Sequence, residues 1–386
     1  MKQLYLLILI TAFLIIPASA DRSKGLFSGE ILDIQLETYL GDIPDTPTNL
    51  GTSEAAVKAN PQDPEAWISI GKTQLKSKKW KEAEQSFEKA LNLDSSHEDA
   101  WDGYLLSIGM QSDYELLLEK ANETIKKIPN SPVGYTRLGI ALDSLGRHEE
   151  AIAAFDQAIE INPKDAGLWY SKGMALEGLD RTEEAIVAYD QAIRIEPEEV
   201  DWWFWKVSAL DVLGKDEEAL KVSDQALKMH PEEAGLWNQK ASIYFDLGMD
   251  AEAIKGYKQA IMIDPEDEYS WLSMTLILVG LGKYEEAIEA YDKIIQSDPN
   301  RGYAWNGKGD ILSELGKYTE AISAYDEAIK IDPKNAYTPW NGKGYALYEL
   351  GKYGEAIDAY DQALILNPEN EKAQEGRKLA ASKLNK

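Results

Sequence analysis

The sequence predicts an all-α chain built as an array of helix-turn-helix units, and three periodic features predict it. Pro recurs with a step of 34 residues, at Pro129, Pro163, Pro197, Pro231, Pro265, Pro299 and Pro333. An aromatic keeps the same step, at Trp67, Trp101, Tyr135, Trp169, Trp203, Trp237, Trp271 and Trp305, and Trp340 follows after one inserted residue. Leu-Gly pairs such as Leu145-Gly146, Leu213-Gly214, Leu247-Gly248 and Leu315-Gly316 stand between them. A period of this length marks an array in which each unit packs on its neighbours, so 386 residues need no single large core.

The chain begins with the three parts of a secretory signal. Met1-Lys2-Gln3 is positively charged, an uncharged and mostly apolar run follows, and Ala18-Ser19-Ala20 offers the small residues a signal peptidase needs. Cleavage after Ala20 and an extracytoplasmic or secreted location are expected. A retained membrane anchor is the competing reading, because the uncharged run at 4–20 is 17 residues long, the lower limit for a spanning helix. Residues 21–52 match nothing later in the chain. With Gly25, Gly29, Gly41, Pro44 and Pro47 they read as an irregular leader holding one short extended piece near 31–40. Residues 53–63 read as an N-terminal half-unit cap, 64–370 as nine units, and 371–386 as a closing helix with Ala373, Ala380 and Leu384 inward. Caps are needed because a terminal unit otherwise exposes its apolar face.

Each unit reads as two helices. The first starts near the Trp and closes at Leu-Gly, where Gly suits a left-handed residue. The second opens on acids such as Glu149-Glu150 or Glu285-Glu286, which complement the positive end of the helix dipole. Its apolar residues recur at helical spacing, as in Ala151, Phe155 and Ala158, and it stops before Pro. Small residues, Gly139, Gly173, Gly309 and Gly344 in the first helix and Ala151, Ala185, Ala321 and Ala356 in the second, let the backbones approach. The Trp of the first helix and the Tyr or Phe of the second are expected to fill the remaining space. Two units depart from the pattern. The second has Leu105 and Leu117 in the small places and Ala121 in the aromatic one, and the fifth has Val207, Ser223 and the run Trp202-Trp203-Phe204-Trp205.

Composition excludes several functions. The net charge of −27 makes nucleic acid a poor partner and suits a basic partner or simple solubility. With no Cys there is no disulfide, thiolate metal site or catalytic thiol. Residues 302–309 fit seven places of a phosphate loop, but they lack its Ser or Thr and fall within a first helix, so the repeat explains them better. His97, His148 and His230 are the only histidines, have no metal-ligand spacing, and read as solvent-facing. Paired acids recur once per unit at helix starts, where capping accounts for them. No catalysis, metal or cofactor is expected.

The aromatic, Leu-Gly, Tyr, Ala, Phe, Ala and Pro pattern resembles the tetratricopeptide repeat in all nine units. The chain departs from it where Lys172, Lys206, Lys240, Lys308 and Lys343 replace the usual Leu before or near the Gly. There a Lys stem can cover apolar surface while its ammonium reaches water. The resemblance implies a right-handed superhelical solenoid whose first helices line a concave face that holds proteins or extended peptides. On that face it points to Tyr170, Met174, Asp201, Trp202, Phe204, Trp205, Ser208, Asn238, Ser242, Tyr269, Asn306, Asp310, Asn341 and Tyr345. Asn can pair both the donor and the acceptor of a peptide backbone, and exposed aromatics give contact area at low entropic cost. Trp202, Phe204 and Trp205 read equally as inter-unit packing. The Lys, Asn and Arg set with which some relatives grip a C-terminal carboxylate is not visible. An exported scaffold or adaptor is the expected function. The alternatives are a substrate-positioning subunit of an extracytoplasmic enzyme or assembly complex, and a cytoplasmic scaffold should the signal not be used. Membrane contact is expected only through the signal, an anchor or a partner.

Overall fold

The computed structural model describes residues 27–40 and 48–385. The expected signal sequence and its cleavage point lie outside the described residues. Among the described residues there are 21 helices and no strand. Two precede the units: α1 (Phe27–Leu40) and α2 (Thr48–Ala59). Units one to five are α3 (Pro64–Lys76) with α4 (Trp80–Leu93), α5 (Glu98–Gly109) with α6 (Tyr114–Lys127), α7 (Pro132–Ser144) with α8 (His148–Ile161), α9 (Ala166–Glu177) with α10 (Thr182–Ile195), and α11 (Val200–Val212) with α12 (Asp216–Met229). Units six to nine are α13 (Ala234–Asp246) with α14 (Asp250–Ile263), α15 (Glu268–Gly280) with α16 (Tyr284–Ser297), α17 (Gly302–Glu314) with α18 (Tyr318–Ile331), and α19 (Tyr337–Glu349) with α20 (Tyr353–Leu366). The closing helix is α21 (Glu371–Leu384). Contacts divide the chain after His230 into two bodies, so that α1–α12 form one and α13–α21 the other.

The leader differs from its sequence reading. Residues 31–40 are helical, not extended, and the helix that begins before the cap runs from Thr48. Glycines at 25, 29 and 41 suggested irregular chain, but two of them fall at or before the first turn of α1 and the third beyond its end. Gly29 sits in the first turn, and residues 30–40 after it contain no Gly or Pro.

Helix ends follow local chemistry. Asp63, Asp113, Ser131, Asp165 and Asn370 accept a backbone N–H as N-caps, and Pro64 and Pro132 stand in the first turn, where Pro costs nothing. The Leu-Gly closures are left-handed, with φ +74° at Gly146 and +72° at Gly316. Asp180, at +58°, holds the same place in the fourth unit.

The small residues do what their size allows. A Cβ on Gly139 would stand 2.5 Å from Phe155, and one on Gly173 2.5 Å from Tyr189. The second-helix aromatic also reaches the following unit. A Cβ on Gly307 would meet Tyr291 at 2.4 Å, and one on Gly342 would meet Tyr325 at 2.5 Å. One buried ring therefore locks its own pair and the next pair together. The periodic Trp has a different place from the one expected. Its ring is mostly half-buried and its indole N–H donates to the carbonyl six residues back, as in Trp169 to Pro163 at 3.1 Å and Trp305 to Pro299 at 3.0 Å. The Trp thus fastens the turn between units while Tyr or Phe fills the core. In the second unit Leu105 and Leu117 are fully buried beside Ala121, and in the fifth Val207 is buried with Ser223. Volume moves from one helix to the other and the pair still closes.

The recurrent Lys makes an inter-unit clasp. Lys172 reaches Asp156, Lys206 reaches Asp190, Lys308 reaches Asp292 and Lys343 reaches Asp326, all at 2.5–2.6 Å, each on the second helix of the preceding unit. Lys308 and Lys343 also lie 5.7 and 5.1 Å from the centroids of Trp305 and Trp340. The stem covers the ring and the ammonium meets a carboxylate at the surface.

Candidate partner-binding face

First helices of successive units touch, as α3 with α5, α5 with α7 and α17 with α19, and the closing helix α21 touches α19 in the same way. The helices that touch lie on the inside of a curved stack, so each body has an inner face lined by first helices.

In the first body that face carries α1, which contacts α3, α5, α7 and α9, the first helices of four successive units. Ile31 and Leu32 are each 2% exposed. Leu32 stands against α5, where a Cβ on Gly109 would be 2.9 Å away. Gln35 accepts from Arg137 of α7, a buried guanidinium that also holds Asp102 at 2.6 and 3.0 Å. The Tyr39 hydroxyl donates to the Asp99 carbonyl at 2.8 Å, its ring meets Phe87 edge-on, and Lys72 Nζ lies 4.6 Å from its centroid. Burial, followed by the nearby Asp99 and Asp102 charges, raises the Tyr39 hydroxyl far above its ordinary value. None of these groups was singled out from sequence. Arg137 is the one charged residue of its column, since the same place in other units holds Ser69, Gly103, Ser171, Trp205, Gln239, Ser273, Gly307 or Gly342, and that was the available signal.

The residues expected on the inner face meet different fates. Tyr170 and Trp202 are each 1% exposed and are corrected to internal packing. Their rings lie 4.6 Å apart and join α9 to α11. The place of Trp202 is that of Leu168 and Leu236, both buried, so its register points it into the preceding unit. Phe204 and Trp205 form a half-buried edge-on pair at 6.0 Å, and Asp201 is half-buried in the first turn of α11.

In the second body Asn238 is spent internally. Its amide donates to Asp267 at 2.5 Å and its carbonyl accepts from Ser270. Tyr269 is half-buried edge-on against Tyr257, and Tyr345 is 47% exposed beside Tyr318. Asn306, Asp310 and Asn341 come together. They line a cavity of about 410 Å³ between α17, α19 and the start of α21, to which Asn370 and Lys372 also contribute. Asn306 and Asn341 hold the same place in successive units. The Asn306 amide donates to Asp310 at 3.2 Å, which fixes its orientation, and Asp310 accepts from the Tyr325 hydroxyl at 2.8 Å. Among the described residues the carbonyl oxygens of Asn306 and Asn341 are buried without a hydrogen-bond partner. Burial pushes the Asp310 carboxyl from 3.8 to about 7, against the lowering effect of the Tyr325 bond. The fourth unit repeats this arrangement with Glu177, pushed by burial to about 7 and bonded by Tyr189 at 2.9 Å.

The histidines are not simply solvent-facing. His97 pairs with Glu65 at 3.0 Å and His148 with the largely buried Asp143 at 2.7 Å. Among the described residues no cluster of His, Cys, Asp or Glu is placed to hold a metal ion, and no helix is long and apolar enough to cross a membrane.

Family models described as tetratricopeptide repeat match residues 54–99, 132–165, 154–187, 234–267, 276–336 and 338–370. Among solved structures the chain is similar to yeast Tom70, at 14% identity over 87% of this chain and 84% of that one, TM-score 0.40. It is also similar to MamA of Desulfovibrio magneticus RS-1, at 16% identity over 44% of this chain and 96% of that one, TM-score 0.39. A third similar structure is the APC/C Cut9–Hcn1 hetero-tetramer, at 15% identity over 84% of this chain and 57% of that one, TM-score 0.38. No curated protein sequence matches it.

Proposed function

The chain belongs to the tetratricopeptide repeat family, and from that premise we propose that it is an exported scaffold that holds extended segments of partner proteins on the inner face of its last two units. The family's fold is one of protein interaction, and catalysis is not part of this reading. One observation carries it. Asn306 and Asn341 hold the same place in adjacent units and line one cavity, and their carbonyl oxygens are buried and unpartnered. A buried acceptor left unpaired costs about 1–3 kcal/mol, and the backbone N–H groups of an extended peptide would recover it. The net charge of −27 favours basic partners and speeds their encounter. Export rests on the charged start, apolar run and Ala18-Ser19-Ala20.

The test is selection of peptides from a random display library on the full chain, followed by titration against a double variant, Asn306→Ala with Asn341→Ala. The expected loss is about tenfold or more in affinity with the melting temperature held. Equal affinity for both chains would remove these residues from the site. Mass spectrometry of the exported chain should find Asp21 at the N-terminus, and an intact Met1 in the cytosolic fraction would remove export.

A further inference from the structure

The first body poses a different question, because its inner face is already filled. α1 lies outside the repeat register, yet it touches the first helices of four units. Among the residues whose burial is described, Ile31, Leu32, Gln35 and Tyr39 turn one stripe inward at helical spacing, while Asp33, Glu37 and Thr38 face solvent. The face beneath is shaped for that stripe. Gly109 leaves room for Leu32, and Gly103 leaves room for the Tyr39 hydroxyl, which stands 2.5 Å from where a Cβ would be. The buried Arg137 supplies a donor to Gln35 and the Asp99 carbonyl an acceptor for Tyr39. Leu32, the amide and the phenol each meet a matching group on α5 or α7, and Ile31 is buried beside them.

We propose that the inner face of the first four units is a receptor for an amphipathic helix of a partner protein, and that α1 is its tethered occupant. The partner helix carries two adjacent aliphatic residues, an amide side chain four positions after the first of them, and a Tyr eight positions after it. The proposal rests on the reading that the inner face binds protein segments, and it goes further by naming a helix as the ligand here. α1 holds the site at the high local concentration its tether gives, so a free helix binds only to the fraction of molecules in which α1 has left. Tyr39 and Leu32 touch the packing at Gly103 and Gly109, but the rings that close the pairs, Phe87 on Gly71, Phe155 on Gly139 and Tyr189 on Gly173, stay in place without α1, so its departure leaves the stack closed.

The experiment uses the full chain and a fluorescein-labelled peptide of residues 27–40. The wild-type chain is compared with a release variant, Ile31→Asp with Leu32→Asp, by fluorescence anisotropy, with circular dichroism recording helix content. The expected result is that the release variant binds the peptide at least ~10-fold more tightly than the wild type, and that a Tyr39→Ala peptide loses that gain. Equal binding to both chains overturns the proposal, because α1 then does not compete for the face. Equal binding of the two peptides overturns it too, because the face then does not read Tyr39. Should the aspartates unfold the chain, a protease site placed between residues 40 and 48 of the full chain and cut after folding makes the same comparison. A wild-type chain that is dimeric in sedimentation, with α1 exchanged between copies, would also contradict the tethered arrangement. Peptides selected on Asn306 and Asn341 report on the other body, so either reading can fail while the other stands.

Discussion

The inner faces of the two bodies are built from the same unit and differ in what completes them. In units one to four a segment of the same chain completes the face, and Arg137 and the Asp99 carbonyl find partners on α1. In units eight and nine no described segment does so, and two Asn carbonyls remain unpaired in a cavity. The difference teaches that the repeat fixes the shape of the face, while a few substitutions per unit decide whether it is filled from within or left to another molecule. The filled face is patterned for a helix side, with room at Gly103 and Gly109. The open one is patterned with amides at a one-unit interval, which suits a backbone.

The comparison can be broken at several levels. The largest effect should come from the packing both bodies share. Gly139→Val in the first and Gly309→Val in the second place a side chain where a Cβ alone would stand 2.5 and 2.7 Å from Phe155 and Tyr325. Each should cost about 3 kcal/mol or more in calorimetry, and a harmless substitution in either body would show that the two are not packed alike. Next is Arg137→Ala, which strips Asp102 and Gln35 of their buried partner. A urea titration should show a loss of about 2–3 kcal/mol in the first body, with α1 loosened and binding at Asn306 and Asn341 unchanged.

Asp310 supplies a pH test of the second body. A carboxyl raised from 3.8 to about 7 on folding binds its proton more tightly in the folded chain. Its stabilising effect is therefore complete below about pH 4 and declines as pH rises toward 7. Asp310→Asn should be close to neutral at pH 4.5 and stabilising by roughly 2 kcal/mol at pH 8, read by thermal denaturation at the two values. A variant whose difference from wild type is the same at both values would show that the carboxyl is not held protonated. Glu177 gives the first body the same sign of dependence. The smallest effect is expected at the clasps. Lys308→Met leaves Asp292, already half exposed, in water, and it should cost under about 1 kcal/mol at low salt and less at high salt.

The sequence carried the units well, because a period repeated nine times is read against itself. Gly146 and Gly316 read as left-handed closures, and Gly139 and Gly173 as close packing, from their places in the unit alone. The role of the Trp was misjudged for a physical reason. Its size argued for the core, but an indole N–H needs an acceptor, and the turn carbonyl six residues back supplies one. Tyr170 was expected on the inner face, and Trp202 either there or in inter-unit packing, because position on one helix says nothing of the neighbouring unit that covers it. Asn306 and Asn341 stand out in the sequence because amides at one place in successive units show in the pattern, and they line one cavity with Asp310. α1 was missed because it occurs once. Nothing in residues 27–40 can be compared with another copy, and only Arg137, the one charged residue of its column, hinted that the face above it was occupied.

Amide hydrogen exchange of residues 31–40 in the full chain tests the central claim most directly, since it asks whether the first body fills its own inner face. The account predicts protection of at least ~100-fold over an unstructured chain at Leu36–Leu40 and its loss in Arg137→Ala. Exchange at the unstructured rate in the wild-type chain would contradict it.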